Sequence, residues 1–346
     1  MRAVFCRPRS ANSFLKIQGE IPVLDSLRAI AAWSVCLYHF ICMTVGFVDR
    51  EGLLYFIFDY GRYGVQMFFV ISGLVIPWAL YRNSYHIKNF FSFLAKRLVR
   101  VEPPYIFSVL LAVAFIYLRK FSPTFDGQIK EFSFSNFLWH LGYLVPFVNG
   151  AEWFNTVYWT LAIEFQYYIT IGLIYFLIIS PKIFVRLIAY ALIFFAPLVF
   201  PREDLLPYWI PVFGLGMLLF LFKSQLIKFV ELVVISVFFT GVIWYSNCIT
   251  HAIISILVEI LILVAFEYSN KALSFLGKFS YSVYLTHAIA GGAMVNVLSH
   301  YTTTSFTKFV LVLGAIVITA VTSYVAYLLI EKPAKELSSK IKYKAK

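Results

Sequence analysis

The sequence predicts an all-α fold, a bundle of about ten transmembrane helices with both chain ends in the cytoplasm. Three observations predict it: an extreme apolar composition, recurring apolar runs of membrane-spanning length, and a one-sided distribution of basic residues. Hydrophobic residues make up 61% of the 346 residues and charged residues only 13%, unlike the composition of soluble domains. We therefore expect a polytopic membrane protein.

The apolar runs are each about 20 residues long, enough to cross a hydrocarbon core of roughly 30 Å. The predicted spans lie near residues 23–47, 63–81, 103–119, 156–180, 183–200, 205–222, 229–246, 250–267, 279–299 and 307–330. The sequence shows no internal repeat and no soluble segment large enough for a second domain. Residues 1–346 are thus predicted to form a single membrane domain.

The basic residues test the order of these spans, because cytoplasmic loops carry an excess of Lys and Arg. With the N-terminus inside, most of the 29 Lys and Arg residues fall in inner loops and at the two chain ends. Residues 1–22 are then a cytoplasmic tail that lacks the apolar core of a secretory signal. Residues 334–346 are predicted to be a basic cytoplasmic tail.

The net charge of +12 does not indicate nucleic-acid binding. Topology and anionic lipid headgroups account for basic inner loops, so membrane lipid is the expected partner of these charges. The four cysteines show no Cys-x-x-Cys spacing. We therefore predict neither a disulfide framework nor a metal site.

Two stretches outside the spans are longer than a simple turn. The inner one, from Arg82 to Glu102, mixes phenylalanines with lysines and arginines, which suits an amphipathic helix lying in the membrane interface. The outer one, from Lys120 to Asn155, is rich in aromatic residues. We expect this second stretch to form a lid on the outer side.

The first span carries an arginine and a histidine, Arg28 and His39. At about 100° and about 1.5 Å per residue, the two side chains share one helix face and lie about 16 Å apart along the axis. Ionisable side chains are costly inside a bilayer and usually face the bundle interior or a wet cavity. This face is therefore predicted to line a polar channel.

Six short segments of the sequence form an ordered set of motifs. They are Leu24 to Arg28 with His39, Phe68 to Leu74, Arg97 to Tyr105, Tyr158 to Glu164, Leu276 to His287, and Ile330 to Pro333. In this order they resemble the membrane acyltransferase-3 family, in its stand-alone form without a fused extracytoplasmic domain. Each motif alone is weak, whereas the ordered set is specific.

The resemblance implies an enzyme that takes an acyl group, often acetyl, from cytoplasmic acyl-CoA. The acceptor is then a hydroxyl of an envelope or exported glycan, a polysaccharide or a lipopolysaccharide sugar, and the location is a bacterial inner membrane. Acyl-CoA would be the donor substrate, with no metal. The family's paired arginine and histidine match Arg28 and His39, and its Arg-x-x-Arg motif matches Arg97 and Arg100.

These matches indicate a mechanism. His39 is predicted to be the general base on the acceptor hydroxyl, because imidazole titrates near working pH. A covalent acyl-histidine is the less favoured variant. Arg28 is predicted to hold phosphate or thioester oxygens, and Arg97 with Arg100 to clamp the phosphates of CoA. The alternatives are interhelical hydrogen bonding by His39 and topology anchoring by the arginine pair.

Glu164 lies about two turns into the fourth span. It is predicted to orient His39, stabilise its charged form or shape the acceptor site, and an equally good alternative is a structural ion pair with an arginine. Phe165 stands where many relatives carry a second glutamate. No role that requires two adjacent carboxylates is therefore assigned.

Four further motif residues are predicted only as helpers. Asp25 is an N-cap or an ion-pair partner of Arg28, three residues further along the helix. Trp159, His287 and Glu331 stand at motif positions. Interhelical bonding and pairing at a helix end are the alternatives for the last two.

Two polar features of the spans have no predicted chemistry. Ser72-Gly73 beside Pro77 predicts a close helix contact and a kink rather than a nucleophile. Glu259, in the eighth span, belongs to no motif. A carboxylate at that depth is expected to be paired or protonated.

Other functions remain open at this point. A transporter would move its cargo without forming a new ester, although no matched pair of broken helices indicates inverted repeats. An acyl relay would pass its group to a separate periplasmic transferase. In a scaffold protein, the buried Arg, His and Glu side chains would not need to line one common polar path. The acceptor is not defined, because stacking aromatics suit either a sugar or an interfacial belt. These aromatics are Trp139, Phe147, Trp153 and Phe154.

Overall fold

The computed structural model describes residues 21–118 and 132–343, and these residues form helices joined by turns, with no strand among them. The all-α prediction is confirmed. The helices are α1 Pro22–Ile41, α2 Leu53–Asp59, α3 Gly64–Arg82, α4 Phe90–Leu118, α5 Phe134–Leu141, α6 Trp159–Ile178, α7 Ile183–Val199, α8 Leu206–Lys223, α9 Phe229–Ser246, α10 Ile249–Val264, α11 Lys271–Lys278, α12 Ser280–Thr286, α13 Ala293–Leu298, α14 Ser305–Ala326 and α15 Lys332–Lys340.

Each of the ten predicted spans coincides with one helix or with a run of joined helical segments. Six helical stretches are long and apolar enough to cross a membrane: Leu53–Arg82, Ile87–Leu118, Thr156–Ile178, Leu206–Lys223, Phe229–Ser246 and Ser305–Lys340. Two more, α7 and α10, are apolar but shorter. The chain is therefore an integral membrane protein, and the side of the membrane on which each loop lies stays a prediction from charge.

The centre of the bundle is a close contact between α3 and α8. Gly73 of α3 lies against the carbonyl of Phe213, and Gly216 of α8 lies against the carbonyl of Val70, so that a Cβ at either glycine would overlap backbone. Small residues allow such close approach in membrane bundles. The predicted helix contact at Gly73 is confirmed, and α8 is buried on nearly all sides.

Helix α1 is held in place by three glycines of other elements. Gly61 of the 3-10 turn Tyr60–Tyr63 and Gly64, the first residue of α3, lie against the carbonyls of Ser34 and Ala31. Gly277 of α11 lies against the carbonyl of Asp25. These contacts fix the helix that carries the arginine and histidine of the first span.

The segment from Arg82 to Glu102 differs from its prediction. Instead of a separate interfacial helix, its second half is the first part of α4, which continues through Pro103 and Pro104 to Leu118. Burial explains the difference, because Phe93 and Arg97 pack into the bundle rather than facing lipid headgroups. The two prolines lack an N–H, so the carbonyls four residues before them receive no helical hydrogen bond.

The predicted C-terminal tail is folded over much of its length. Helix α15 packs against α4, where the Ser338 hydroxyl donates to the carbonyl of Lys96 over 2.8 Å. The ring of Tyr343 lies 6.0 Å from that of Tyr85. Residues 1–20 and 344–346, which hold the N-terminal tail and the chain end, lie outside the described residues.

The described part of the outer stretch packs into the bundle. Tyr143 stacks on Tyr105 of α4 and on Phe165 of α6, with centroid distances of 5.0 and 4.9 Å. Val157 and Tyr158 are also buried in this cluster. The first part of the predicted lid, residues 119–131, lies outside the described residues.

His140 of α5 makes this outer stretch sensitive to pH. Its Nδ1 donates to the carbonyl of Asn136 (2.8 Å), and its Nε2 accepts from the N–H of Phe154 (3.1 Å), an arrangement that only a neutral ring can make. Burial lowers the pKa of His140. The unfolded chain therefore binds a proton more readily, and stability is lost as pH falls below about 6.5.

We expect thermal unfolding of the purified protein to shift to lower temperature at about pH 5.5 relative to pH 7.5, across the His140 titration. His140→Gln should be less stable than wild type at the higher pH and should lose less on acidification. Equal pH dependence in the two proteins would show that another group is responsible.

Candidate active site

Five of the predicted site residues converge on one cavity of about 130 Å³ between α1, α3, α4, α6, α12 and the C-terminal segment. Its polar lining comprises Arg28, Ser72, Arg97, Arg100, Thr160, Glu164, Tyr168, Ser280, Tyr281, Tyr284, Glu331 and Lys335. Residues from six parts of the sequence thus meet in one place. Five of them, Arg28, Arg97, Arg100, Glu164 and Glu331, were predicted from the motifs.

Three arginines give the cavity its positive charge. Arg28 pairs with Asp25 through Nη1 and Oδ1 at 3.0 Å, which confirms the ion-pair prediction for Asp25. The guanidinium of Arg97 lies between the rings of Phe93 and Tyr168, 5.7 and 5.6 Å from their centroids. Packing between rings holds this planar cation in a fixed orientation.

Arg100 lies three residues after Arg97, so both point from one face of α4 towards the cavity. Lys335 of α15 adds a fourth cation. Guanidinium groups bind phosphate and carboxylate oxygens with two parallel hydrogen bonds. The arginine-lined part of the cavity is therefore suited to an anionic ligand that carries several oxygens.

Glu164 joins α6 to α3 at the cavity wall. The hydroxyl of Ser72 donates to its Oε1 over 3.0 Å, and its charge interacts with Arg28 and Arg97. Ser72 is thus engaged with a carboxylate. Glu164 lies with the arginines, whereas the side-chain partner of His39 is a histidine.

Glu331 ends the π-helical turn Tyr327–Glu331, which follows α14. Its Oε2 accepts from the hydroxyl of Ser282 (2.6 Å) and from the backbone N–H of the same residue (3.1 Å). This carboxylate also interacts with the charges of Arg100 and Lys335. Glu331 therefore ties the last span to α12 and to the cations of the cavity.

One end of the cavity is formed by aromatic and hydroxyl groups. The rings of Phe68 and Tyr284 are 5.7 Å apart and in edge contact. The hydroxyls of Tyr284 and Thr160 lie 2.8 Å apart, and the Tyr284 hydroxyl also donates to the carbonyl of Val157 over 3.1 Å. These hydrogen bonds fix the Tyr284 ring in the cavity wall.

His39 lies next to the cavity rather than in its lining. The ring of His287 is 4.9 Å from that of His39 and 5.9 Å from that of Tyr284. His287 is completely buried, whereas His39 is half-buried. Tyr284, which lines the cavity, is therefore linked to His39 through the ring of His287.

The remaining predicted residues have other surroundings. Trp159 packs against Phe69 and Trp209 of the core, with centroids 6.4 and 5.6 Å away. Glu259 is buried and accepts from the hydroxyl of Ser236 over 2.7 Å. Trp159 does not line the cavity but contacts Phe69, which does. The hydrogen bond of Glu259 joins α10 to α9.

Sequence reasoning did not single out Phe68, Thr160, Tyr168, Tyr284 or Lys335 as site residues. Phe68, Thr160 and Tyr284 lie within the motifs, and Tyr168 and Lys335 lie within four residues of one. Their only signal in the sequence was nearness to a charged motif residue, as for Tyr168, one helical turn from Glu164. In a chain with 37 Phe and 23 Tyr residues, aromatic side chains alone do not mark a site.

Among the residues that the structure describes, no group of three or more His, Cys, Asp or Glu side chains could hold a metal ion. The chemistry of the site is that of arginines, carboxylates and imidazoles. Such a set binds anions and moves protons.

Residues 21–328 match the family model described as an acyltransferase domain, of the acyltransferase 3 family. Because this match covers most of the chain, the protein belongs to that family.

Curated relatives are similar over parts of the chain. O-acetyltransferase OatA of Staphylococcus aureus is 29% identical over 164 residues, which is 44% of this chain and 24% of OatA. Putative peptidoglycan O-acetyltransferase YrhL of Bacillus subtilis is 33% identical over 159 residues, 43% of this chain and 23% of YrhL. Acyltransferase MdmB of Streptomyces mycarofaciens is 27% identical over 161 residues, 46% of this chain and 40% of MdmB.

The chain thus spans less than half the length of each of these relatives. No solved structure matches the chain significantly.

Proposed function

We propose that this protein is an integral membrane O-acyltransferase of a bacterial inner membrane. It transfers an acyl group, acetyl in the simplest case, from cytoplasmic acyl-CoA to a hydroxyl of an envelope or exported glycan. The observation that carries this proposal is the convergence of Arg28, Arg97 and Arg100 in one cavity, whose wall residue Tyr284 is linked to His39 through His287. Two of the relatives, O-acetyltransferase OatA and putative peptidoglycan O-acetyltransferase YrhL, bear names that support this reaction class.

The three arginines bind the donor in this proposal. Arg97 and Arg100 hold the phosphates of CoA, since guanidinium groups match phosphate geometry. Arg28 lines the same cavity from α1 and holds further phosphate oxygens of the donor, so that the extended pantetheine arm reaches towards His39. Glu164 offsets part of the positive charge of the arginines. This lowers the affinity of the site for anions other than the donor.

His39 acts as general base on the acceptor. Its neutral ring removes the proton from the attacking hydroxyl as the new C–O bond forms at the thioester carbonyl carbon. The C–S bond then breaks, and the leaving thiolate of CoA takes up the proton that the imidazolium releases. The acyl end of the donor then lies towards Tyr284 of the cavity wall, whose ring is 5.9 Å from that of His287, the neighbour of His39.

An acyl relay is the second candidate. The matched residues cover only 24% of OatA and 23% of YrhL, so the relatives contain much that this alignment lacks. A separate periplasmic transferase would then receive the acyl group and modify the glycan. An acyl relay would use the same donor site, with the same role for Arg97 and Arg100. It differs from the direct transferase in the molecule that carries the acyl group after this protein has acted.

The donor site is tested by Arg97→Ala/Arg100→Ala. We expect acetyl-CoA to bind at least about tenfold more weakly, since hydrogen bonds to charged groups contribute about 1.5–3 kcal/mol each. Binding is measured by titration of the purified protein in detergent micelles. Lys88→Ala is the matched control, because Lys88 is a basic residue just before α4 that is exposed and does not line the cavity.

Unchanged acetyl-CoA affinity in the double variant would contradict the donor assignment. Equal weakening in Lys88→Ala would show that general surface charge, rather than the arginine cavity, attracts the donor.

A further inference from the structure

We propose that His287 is a positioning residue that, together with the Val35 carbonyl, orients the ring of His39 and leaves Nε2 of His39 as the basic atom. The inference rests on the proposed function, in which His39 is the general base. It adds the identity of the group that orients this base and the nitrogen that receives the proton.

The hydrogen bonds of His287 define its own tautomer. Its Nδ1 lies 2.8 Å from the carbonyl oxygen of Tyr284 and 3.1 Å from that of Val283. Carbonyl oxygens only accept, so Nδ1 must carry a hydrogen. The ring is completely buried, and a charged form is costly there without a counter-ion. A neutral His287 therefore presents a lone pair at Nε2.

The hydrogen bonds of His39 define its tautomer in the same way. Nδ1 of His39 lies 2.8 Å from the carbonyl oxygen of Val35 and 3.2 Å from Nε2 of His287. Both neighbours are acceptors, so Nδ1 of His39 is the donor. The lone pair of the neutral His39 ring is then on Nε2, the nitrogen turned away from both acceptors.

This arrangement suits a base. When Nε2 of His39 takes a proton from the acceptor, Nδ1–H keeps its two acceptors, and each hydrogen bond strengthens as the ring becomes positively charged. Partners of this kind fix the tautomer and orientation of a functional histidine, and their loss typically costs about 10–100-fold in activity. His287 thus orients His39, which was one of the roles predicted for Glu164.

The backbone explains how His287 reaches α1. The chain leaves α12 at His287 and enters the π-helical turn Ala288–Gly292, closed by a hydrogen bond of 2.8 Å from the Gly292 N–H to the His287 carbonyl. Gly291 in this turn lies against Phe40, and its N–H donates to the Thr319 hydroxyl over 3.2 Å. π-Helical turns are frequent at functional sites.

Two variants separate positioning from packing. In His287→Gln, an amide oxygen can reach the place of Nε2 and accept from His39. In His287→Asn, the shorter amide can keep the hydrogen bond to the Tyr284 carbonyl but cannot reach His39. If His287 positions His39, the Asn variant loses turnover by about 10–100-fold with an unchanged KM for acetyl-CoA, whereas the Gln variant keeps most of it. A role limited to the hydrogen bond with the Tyr284 carbonyl predicts the reverse order, and a packing role lowers the amount of folded protein rather than turnover.

The tautomer itself is measured by ¹⁵N solid-state NMR of the histidine-labelled protein in lipid bilayers. The sequence has only six histidines, so the His39 signals are assigned by their loss in His39→Gln. We expect a protonated Nδ1 and a bare Nε2 on His39 in wild type. In His287→Asn we expect the Nδ1 signal to shift and broaden, because Nδ1–H has lost one of its two acceptors and keeps only the Val35 carbonyl. A proton on Nε2 of His39 in wild type, or an unchanged Nδ1 signal in His287→Asn, overturns the inference.

The NMR result does not depend on acyl transfer. Failure of the positioning role is therefore distinguishable from failure of the proposed function, which the activity of His39 variants tests separately.

Discussion

Replacing His39 by alanine or glutamine is expected to lower acyl transfer by about 10²–10⁴-fold, the range that a positioned general base typically contributes. A neutral alcohol is a poor nucleophile, and His39 is bonded to His287, whose ring lies 5.9 Å from that of Tyr284 in the cavity wall. Because Arg97 and Arg100 stay in place, acetyl-CoA binding should be unchanged. The measurement is incorporation of labelled acetyl groups into envelope glycan at matched protein levels.

A second histidine serves as the control for this prediction. His300 lies in a short turn after α13, is exposed and does not line the cavity. His300→Ala should transfer acetyl groups like the wild type. Full transfer by His39→Ala, with the protein inserted at normal levels, would show that the base is another group.

The second large effect is expected from substitutions at two buried glycines, which act on folding. Gly73→Ala and Gly216→Ala should each strongly reduce the amount of folded protein, because the added Cβ overlaps a backbone carbonyl of the facing helix. Backbone atoms cannot move aside as a flexible side chain can, so α3 and α8 must separate. Overpacking of this kind costs about 1–3 kcal/mol and sometimes more. Thermal unfolding in detergent micelles measures the loss.

Gly241 of α9 provides the matched control, since nothing lies within 4 Å of a Cβ placed there. Alanine is favoured over glycine in a helix by up to about 1 kcal/mol, so Gly241→Ala should be as stable as wild type or slightly more stable. If Gly73→Ala and Gly216→Ala unfolded at the temperature of Gly241→Ala, the contact between α3 and α8 would not be as close as described.

The helices were largely predictable from sequence, because each apolar run must satisfy its backbone hydrogen bonds internally in a membrane. The predicted span over residues 229–246 has the same bounds as α9. The segment from Arg82 to Glu102 was misread, since its mixture of phenylalanines and cations fits a membrane interface as well as a partly buried helix. Only the tertiary packing of Phe93 and Arg97 decides between them.

The charged part of the site was predictable for a related reason. Arg28 and Glu164 stand out because ionisable groups inside a bilayer are rare and costly. The contact between His39 and His287 was not predictable, since the two residues are separated by 248 positions in the chain. The π-helical turns that position His287 and Glu331 also leave no clear pattern in the sequence.

In the proposed reaction, an acyl group crosses from cytoplasmic acyl-CoA to a glycan hydroxyl on the other side of the membrane. The most direct test supplies labelled acetyl-CoA to the outside of sealed membrane vesicles, either inverted, with the cytoplasmic face exposed, or right-side-out. We predict base-labile labelled ester on glycan inside the inverted vesicles, none in right-side-out vesicles, and none with His39→Ala. Glycan that moves across the membrane without any labelled ester, or equal labelling in both kinds of vesicle, would contradict the account.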